Sequence, residues 1–158
     1  MDTFSRDGPA SENTARLLRR LEFFQKIDFS ALRTILSASR QFTLKRGRAL
    51  FAENERANAG YVLLDGMIHL SSKSFGSATI VGAPAFIGES SLIVETMRQA
   101  TAIAESNSTL IEITRLTFLR VIAEYPESAA ALHKLLSQRL MTTLEGLEGV
   151  RAQFATAV

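Results

Sequence analysis

Two short groups of residues carry the side chains best suited to bind a ligand. Gly88 and Glu89 form the first, and Arg98 begins the second, followed by Gln99 and Ala100. Glycine lacks a Cβ, so the backbone at Gly88 can approach a ligand closely. A glutamate carboxylate accepts hydrogen bonds from sugar hydroxyls, and the planar guanidinium of arginine matches the oxygens of a phosphate. The chemistry indicated is the binding of a sugar phosphate.

The residues between the two groups support the same chemistry. Ser90 and Ser91 follow Glu89 directly, and their backbone N–H groups could form a nest that binds an anion. A simpler interpretation makes Arg98 a solvated turn residue and Glu89 a loop charge. The apolar, strand-like segments on both sides of the run 86–101 favour the binding interpretation.

Composition limits the class of protein. The 158 residues fit one domain with a core, and 46% of them are hydrophobic. A net charge of +2 is too mild to indicate nucleic acid or a membrane as partner. There is no cysteine, which excludes disulfides and thiol chemistry. With no membrane-spanning apolar run and no signal-peptide core, we expect a cytoplasmic protein.

The N-terminal part is predicted to be helical. Residues 1–10 are expected to form a flexible leader, and 11–39 a helical segment. Ser11 is a plausible N-cap for a helix over 12–21. Ser30 could cap a second helix, whose apolar positions are Leu32, Ile35 and Leu36.

The segment 40–114 has the pattern of a β domain. Short runs of apolar and β-branched residues alternate with glycine-containing turns, which favours an antiparallel sandwich or jelly roll over a parallel sheet. The predicted strands are 41–45, 49–52, 60–64, 67–73, 78–82, 100–105 and 109–114.

The segment 115–158 returns to helical periodicity. A first helix is expected to bury Leu116, Phe118, Leu119 and Ile122 and to stop before Pro126. A long helix should begin at Glu127 and carry a heptad stripe formed by Leu136, Leu140, Thr143, Leu147, Val150 and Phe154. This stripe could pack on its own domain or pair with a second chain as a homodimer.

Residues for catalysis are sparse. The two histidines, His69 and His133, fall on different predicted elements and lack metal-ligand spacing. There is no nucleophile elbow and no P-loop. We therefore expect no enzyme activity, no metal and no cofactor.

The run 86–101 resembles the phosphate-binding cassette of the cyclic nucleotide-binding domain family. That family occurs in bacterial catabolite-activator-type regulators, protein kinase regulatory subunits and nucleotide-gated channels, and its cassette reads Gly-Glu and, about ten residues later, Arg-x-Ala-Thr. The resemblance extends from about Leu21 to about Leu147. It implies a mainly β jelly roll with N-terminal helices and a long C-terminal helix. The sequence ends too soon for the DNA-binding domain that follows this helix in catabolite-activator-type proteins.

The resemblance also implies a role for each site residue. Glu89 would hold the ribose 2′-hydroxyl, and Arg98 would pair with the cyclic phosphate. Counted from Pro126, Thr143 falls where catabolite-activator-type proteins place a threonine that contacts the base. The remaining implied ligand-binding residues form the backbone and floor of the pocket: Gly88, Ser90, Ser91, Gln99 and Ala100.

The implied function is a regulatory module that binds a cyclic purine nucleotide and signals through its C-terminal helix to an effector protein. Threonine after the cassette arginine is associated with guanine in the family, so Gln99 favours cyclic AMP over cyclic GMP. Two alternatives stay open: a protein-interaction or dimerisation module without nucleotide control, and a sensor of a cyclic dinucleotide.

Overall fold

The computed structural model describes residues 12–155, with side chains described for 12–139, 141 and 142. It is mainly antiparallel β with helices at both ends, which confirms the predicted fold class. The α-helices are α1 (Glu12–Leu18), α2 (Glu22–Gln25), α3 (Phe29–Ser37), α4 (Arg115–Ile122) and α5 (Pro126–Ala155). The first strands are β1 (Arg40–Leu44), β2 (Ala49–Phe51), β3 (Arg56–Ala57), β4 (Ala59–Asp65) and β5 (Met67–Ser72). The remaining strands are β6 (Ser77–Gly82), β7 (Ala85–Ile87), β8 (Thr96–Met97), β9 (Thr101–Ala104) and β10 (Ser108–Thr114), with a 3-10 helix (Glu89–Leu92) between β7 and β8.

The strands form two four-stranded antiparallel sheets that make the jelly roll. One sheet has the order β1-β10-β4-β7 and the other β2-β9-β5-β6, while β3 and β8 pair as a separate ribbon. The seven predicted strands are all present, with ends that differ by a residue or two. The short strands β3, β7 and β8 were not predicted.

The central strands β4 and β10 divide the core into two layers. Val62 and Ile111 face the helices and join Phe23 and Phe118 in one apolar cluster. The neighbouring residues Leu63 and Leu110 face the opposite sheet and pack with Ile68 and Phe51 in a second cluster. Successive side chains of a strand point to opposite faces, so strands with consecutive apolar residues must be covered on both sides.

The N-terminal helices begin and end differently from the prediction. The cap of α3 is Asp28, not Ser30, because the Asp28 carboxylate accepts from the backbone N–H of Ser30 at 2.8 Å and of Ala31 at 3.4 Å. The first helix ends at Leu18 rather than at residue 21, since extended backbone at Leu21 starts α2. The predicted cap Ser11 lies outside the described residues.

The apolar face of α4 also differs from the prediction. Phe118 and Ile122 are buried as expected, and Val121 is buried with them. Leu116 and Leu119 are instead 69% and 45% exposed. The buried face of α4 is therefore formed by Phe118, Val121 and Ile122, and the two leucines lie outside it.

The beginning of α5 packs on its own domain. Leu132 and Leu135 are buried, and Leu132 belongs to the helix-side cluster. Leu136, the first member of the predicted heptad stripe, is half-buried. The side chains of the other members, Leu140, Thr143, Leu147, Val150 and Phe154, lie outside the described part, so pairing with a second chain stays a prediction.

Candidate ligand-binding site

A pocket of about 310 Å³ opens at the cassette, between β7, the 3-10 helix and the segment that follows β8. Its volume lies at the lower end of the range of about 300–1,000 Å³ for small-molecule sites. The lining includes seven of the eight residues predicted from the sequence: Gly88, Glu89, Ser90, Ser91, Arg98, Gln99 and Ala100. The eighth, Thr143, is in α5, and its side chain lies outside the described residues. Apolar side chains complete the wall, namely Phe51, Ala57, Leu70, Ile87 and Met97.

Gly88 makes the turn from β7 into the 3-10 helix and must be glycine for two reasons. Its φ of 76° and ψ of 36° are in the left-handed region, which disfavours side chains. A Cβ at this position would lie 2.5 Å from Nη1 of Arg98. The absence of a side chain therefore lets the Arg98 guanidinium rest directly against the cassette backbone.

Arg98 is buried at the polar end of the pocket, with only 6% of its surface exposed. Its Nη2 donates to the carbonyl of Ala59 at 2.8 Å, and its guanidinium carbon lies 4.2 Å from the ring centre of Phe51 and 5.5 Å from that of Tyr61. The backbone N–H of Arg98 donates to the carbonyl of Glu55 at 2.7 Å. These contacts exclude the interpretation of Arg98 as a solvated turn residue.

The electrostatic surroundings of Arg98 fit an anion. Burial lowers the pKa of Arg98, while the charges of Tyr61, Glu55 and Glu112 act in the opposite direction. Burial also raises the pKa of Tyr61. Arginine stays protonated in proteins, so the charge remains. Within the described residues no carboxylate forms an ion pair with Arg98. A buried cation that is not ion-paired is costly, and a bound anion would reduce that cost.

Glu89 connects the pocket to the C-terminal helix. Its carboxylate is ion-paired with Arg139 of α5, and Arg139 also reaches Glu22 of α2 at 3.0 Å. Sequence reasoning missed Arg139, although it stands one helical turn before Thr143, and this spacing places both residues on one face of the helix.

The two serines of the cassette have different surroundings. Ser91 is 1% exposed; its N–H donates to the carbonyl of Gly88 at 3.2 Å and its hydroxyl to that of Ala59 at 2.6 Å. Ser91 therefore stabilises the turn at Gly88 through hydrogen bonds to the backbone. Ser90 is exposed and lines the pocket, as does Gln99 on the other side.

The part of the chain that the structure describes has neither a metal-binding cluster nor a membrane-spanning helix. Among the residues that the structure describes, no group of three or more His, Asp or Glu side chains could hold a metal ion. None of the described helices is long and apolar enough to cross a membrane.

Fold and site together define a jelly-roll domain with a small pocket that a buried arginine lines. The sequence matches the cyclic nucleotide-binding domain family over residues 41–125. The chain belongs to this family, which confirms the resemblance carried by the cassette.

The chain is similar to known bacterial regulators and domains. It is 24% identical over 135 residues to a CRP-like cAMP-activated global transcriptional regulator of Mycobacterium tuberculosis; the match covers 83% of this chain and 60% of the regulator. The chain thus spans less than two thirds of that relative. The N-terminal domain of a Streptomyces coelicolor transcriptional regulator matches with a TM-score of 0.74 and 27% identity, over 83% of this chain and 94% of that one. A cyclic nucleotide-binding-like protein of Brucella abortus matches with a TM-score of 0.64 and 28% identity, over 71% and 99%.

Proposed function

We propose that this domain is a regulatory sensor that binds a cyclic purine mononucleotide, cyclic AMP in preference to cyclic GMP. The observation that carries the proposal is that Arg98 is only 6% exposed, lines the pocket beside Gly88, and has no ion-pair partner among the described residues. A cyclic phosphate supplies the missing negative charge and two exocyclic oxygens for a planar fork of donors.

The ribose and the base are assigned to the other residues that line the pocket. Glu89 accepts from the ribose 2′-hydroxyl, and Ala100 leaves room at the floor. The apolar wall of Phe51, Leu70 and Met97 surrounds the sugar and base. A volume of about 310 Å³ favours one nucleotide over a cyclic dinucleotide. The exposed amide of Gln99 stands where a threonine favouring guanine would be.

The C-terminal helix transmits the signal in this proposal. Glu89 lines the pocket and contacts α5 through Arg139. A ligand hydroxyl that binds Glu89 changes the strength of that ion pair, and so shifts α5 between two positions. Thr143, one turn further along, contacts the base and closes the helix over the pocket.

The comparisons support cyclic AMP and leave the output open. The M. tuberculosis relative carries the words "cAMP-activated" in its description, at 24% identity. Because this chain spans 60% of that relative, control of transcription is not carried over to it. Binding without catalysis, a cytoplasmic location, an effector protein and a homodimer through α5 stay predictions.

A 2′-deoxy nucleotide tests the role of Glu89. Cyclic AMP is expected to bind the wild type about tenfold or more tightly than 2′-deoxy cyclic AMP, since a hydrogen bond to a charged group contributes about 1.5–3 kcal/mol. In Glu89→Gln the difference between the two ligands should narrow, because a neutral amide oxygen accepts a weaker hydrogen bond than a carboxylate. Calorimetric titration of both ligands into both proteins measures the four affinities.

The control separates the hydroxyl contact from the ion pair with α5. Glu22→Gln removes a second carboxylate that Arg139 contacts, and Glu22 does not line the pocket. This variant should keep the full wild-type preference for cyclic AMP over the deoxy ligand. A wild type that does not discriminate between the two ligands contradicts the role given to Glu89.

A further inference from the structure

Arg115, the first residue of α4, bonds to the cassette from outside the pocket. Its Nη1 lies 3.2 Å from the carbonyl oxygen of Ala57, 3.2 Å from that of Val94 and 3.4 Å from that of Ser91. Its backbone N–H donates to the carbonyl of Asn58 at 2.8 Å. The side chain is 20% exposed and does not line the pocket.

The three carbonyls belong to three separate segments that shape the site. Ala57 ends β3 and lines the pocket, Ser91 is in the 3-10 helix, and Val94 is in the irregular stretch before β8. The segment 57–59 is also bonded from the pocket side, where Arg98 and Ser91 both donate to the carbonyl of Ala59. Two arginines thus hold the same short segment against the cassette, one inside the pocket and one behind it.

We propose that Arg115 is a positioning residue for nucleotide binding: it fixes the 3-10 helix and the stretch 92–95 so that Glu89 and Arg98 meet the ligand in the right geometry. The inference rests on the proposed function. The planar guanidinium holds five N–H donors in a fixed fork, whereas an ammonium has three donors on a freely rotating group and fixes its partners less rigidly. Its ion pair with Glu95 is secondary, because the Glu95 side chain is 87% exposed and surface ion pairs contribute little.

The test compares Arg115→Ala and Arg115→Lys with Arg120→Ala. Arg120 is an exposed arginine on the same helix and serves as the matched control. Hydrogen exchange of the ligand-free proteins is measured at residues 89–97 and in the strands β4 and β10. The affinities for cyclic AMP and 2′-deoxy cyclic AMP are measured on the same samples.

For Arg115→Ala we expect exchange at residues 89–97 to rise about tenfold with β4 and β10 unchanged, and cyclic AMP affinity to fall about tenfold. The preference for cyclic AMP over the deoxy ligand should shrink, because a displaced cassette moves Glu89 away from the hydroxyl. Arg115→Lys should give intermediate values, and Arg120→Ala should match the wild type. If the alanine variant does not fold, the lysine variant carries the same comparison.

Two results would overturn the inference. One is unchanged exchange at residues 89–97 in both Arg115 variants. The other is a uniform rise in exchange with an unchanged preference between the two nucleotides, which describes a residue that only stabilises the fold. A wild type that binds no cyclic nucleotide refutes the proposed function instead, and the exchange of the ligand-free proteins still decides whether Arg115 positions the cassette.

Discussion

Arg98→Ala is expected to weaken cyclic AMP binding by about 30-fold to several thousandfold while the jelly roll stays folded. Removing one partner of a buried, hydrogen-bonded charge pair costs about 2–5 kcal/mol, and each 1.4 kcal/mol is a factor of ten in affinity. In the ligand-free protein the change removes a buried cation that has no ion-pair partner among the described residues, so the loss of stability should be small. Arg98→Lys keeps the charge without the planar fork and should bind with intermediate affinity.

Calorimetric titration and thermal unfolding check this prediction together. A ligand stabilises the folded state in proportion to the logarithm of its concentration over Kd, so Arg98→Ala should lose the rise in Tm that cyclic AMP gives the wild type. Arg56→Ala is the matched control, because Arg56 is an exposed arginine on β3, the strand paired with the end of the cassette. Equal losses in the two variants would mean that general positive charge, and not Arg98 itself, attracts the nucleotide.

Gly88→Ala is expected to weaken cyclic AMP binding by about tenfold or more without direct contact between the new methyl group and the ligand. The added Cβ would lie 2.5 Å from Nη1 of Arg98, so the guanidinium must move away from the position in which it faces the pocket. Because the displaced atom is the end of a flexible side chain, the protein should fold. The left-handed φ of 76° adds a strain of about 1–2 kcal/mol to the folded state.

Gly47→Ala provides the control for backbone strain alone. Gly47 has a φ of 82°, and a Cβ there would have no atom within 4 Å. Both variants should lose a similar amount of stability in thermal unfolding, and only Gly88→Ala should lose affinity. If the two variants bind cyclic AMP equally well, close approach of Arg98 to Gly88 is not needed for binding.

The fold could be predicted because its signals are local. The strands β4 and β10 contain consecutive apolar residues, and the cassette keeps its glycine, glutamate and arginine at the family spacing. The short strands β3, β7 and β8 were not predicted; β3 and β8 have two residues each, which cannot display an alternating pattern. Asp28 and Ser30 are both suitable N-cap residues. Which of them begins α3 depends on where the preceding chain leaves α2.

The site residues that the sequence did not predict take part in contacts between distant segments of the chain. Phe51 and Tyr61 pack on Arg98 from other strands, and Arg139 reaches Glu89 from α5. Arg115 contacts the cassette through its side chain from the start of another helix. The spacing of these residues in the sequence does not predict their roles. Their partners lie about 20 to 50 positions away, so the contacts form only in the folded chain. The sequence therefore predicted most of the residues that line the pocket, and the structure added residues that contact them from other segments.

The most direct test of the central claim is a calorimetric titration of the wild-type protein with cyclic AMP, with cyclic GMP and cyclic di-GMP titrated in parallel. The account predicts one cyclic AMP bound per chain, weaker binding of cyclic GMP, and no binding of cyclic di-GMP at the same concentrations. Tighter binding of cyclic di-GMP would identify a dinucleotide sensor instead. No binding of any of the three ligands at millimolar concentration, by a folded protein, would contradict the account and leave a module with the family's fold but without its ligand.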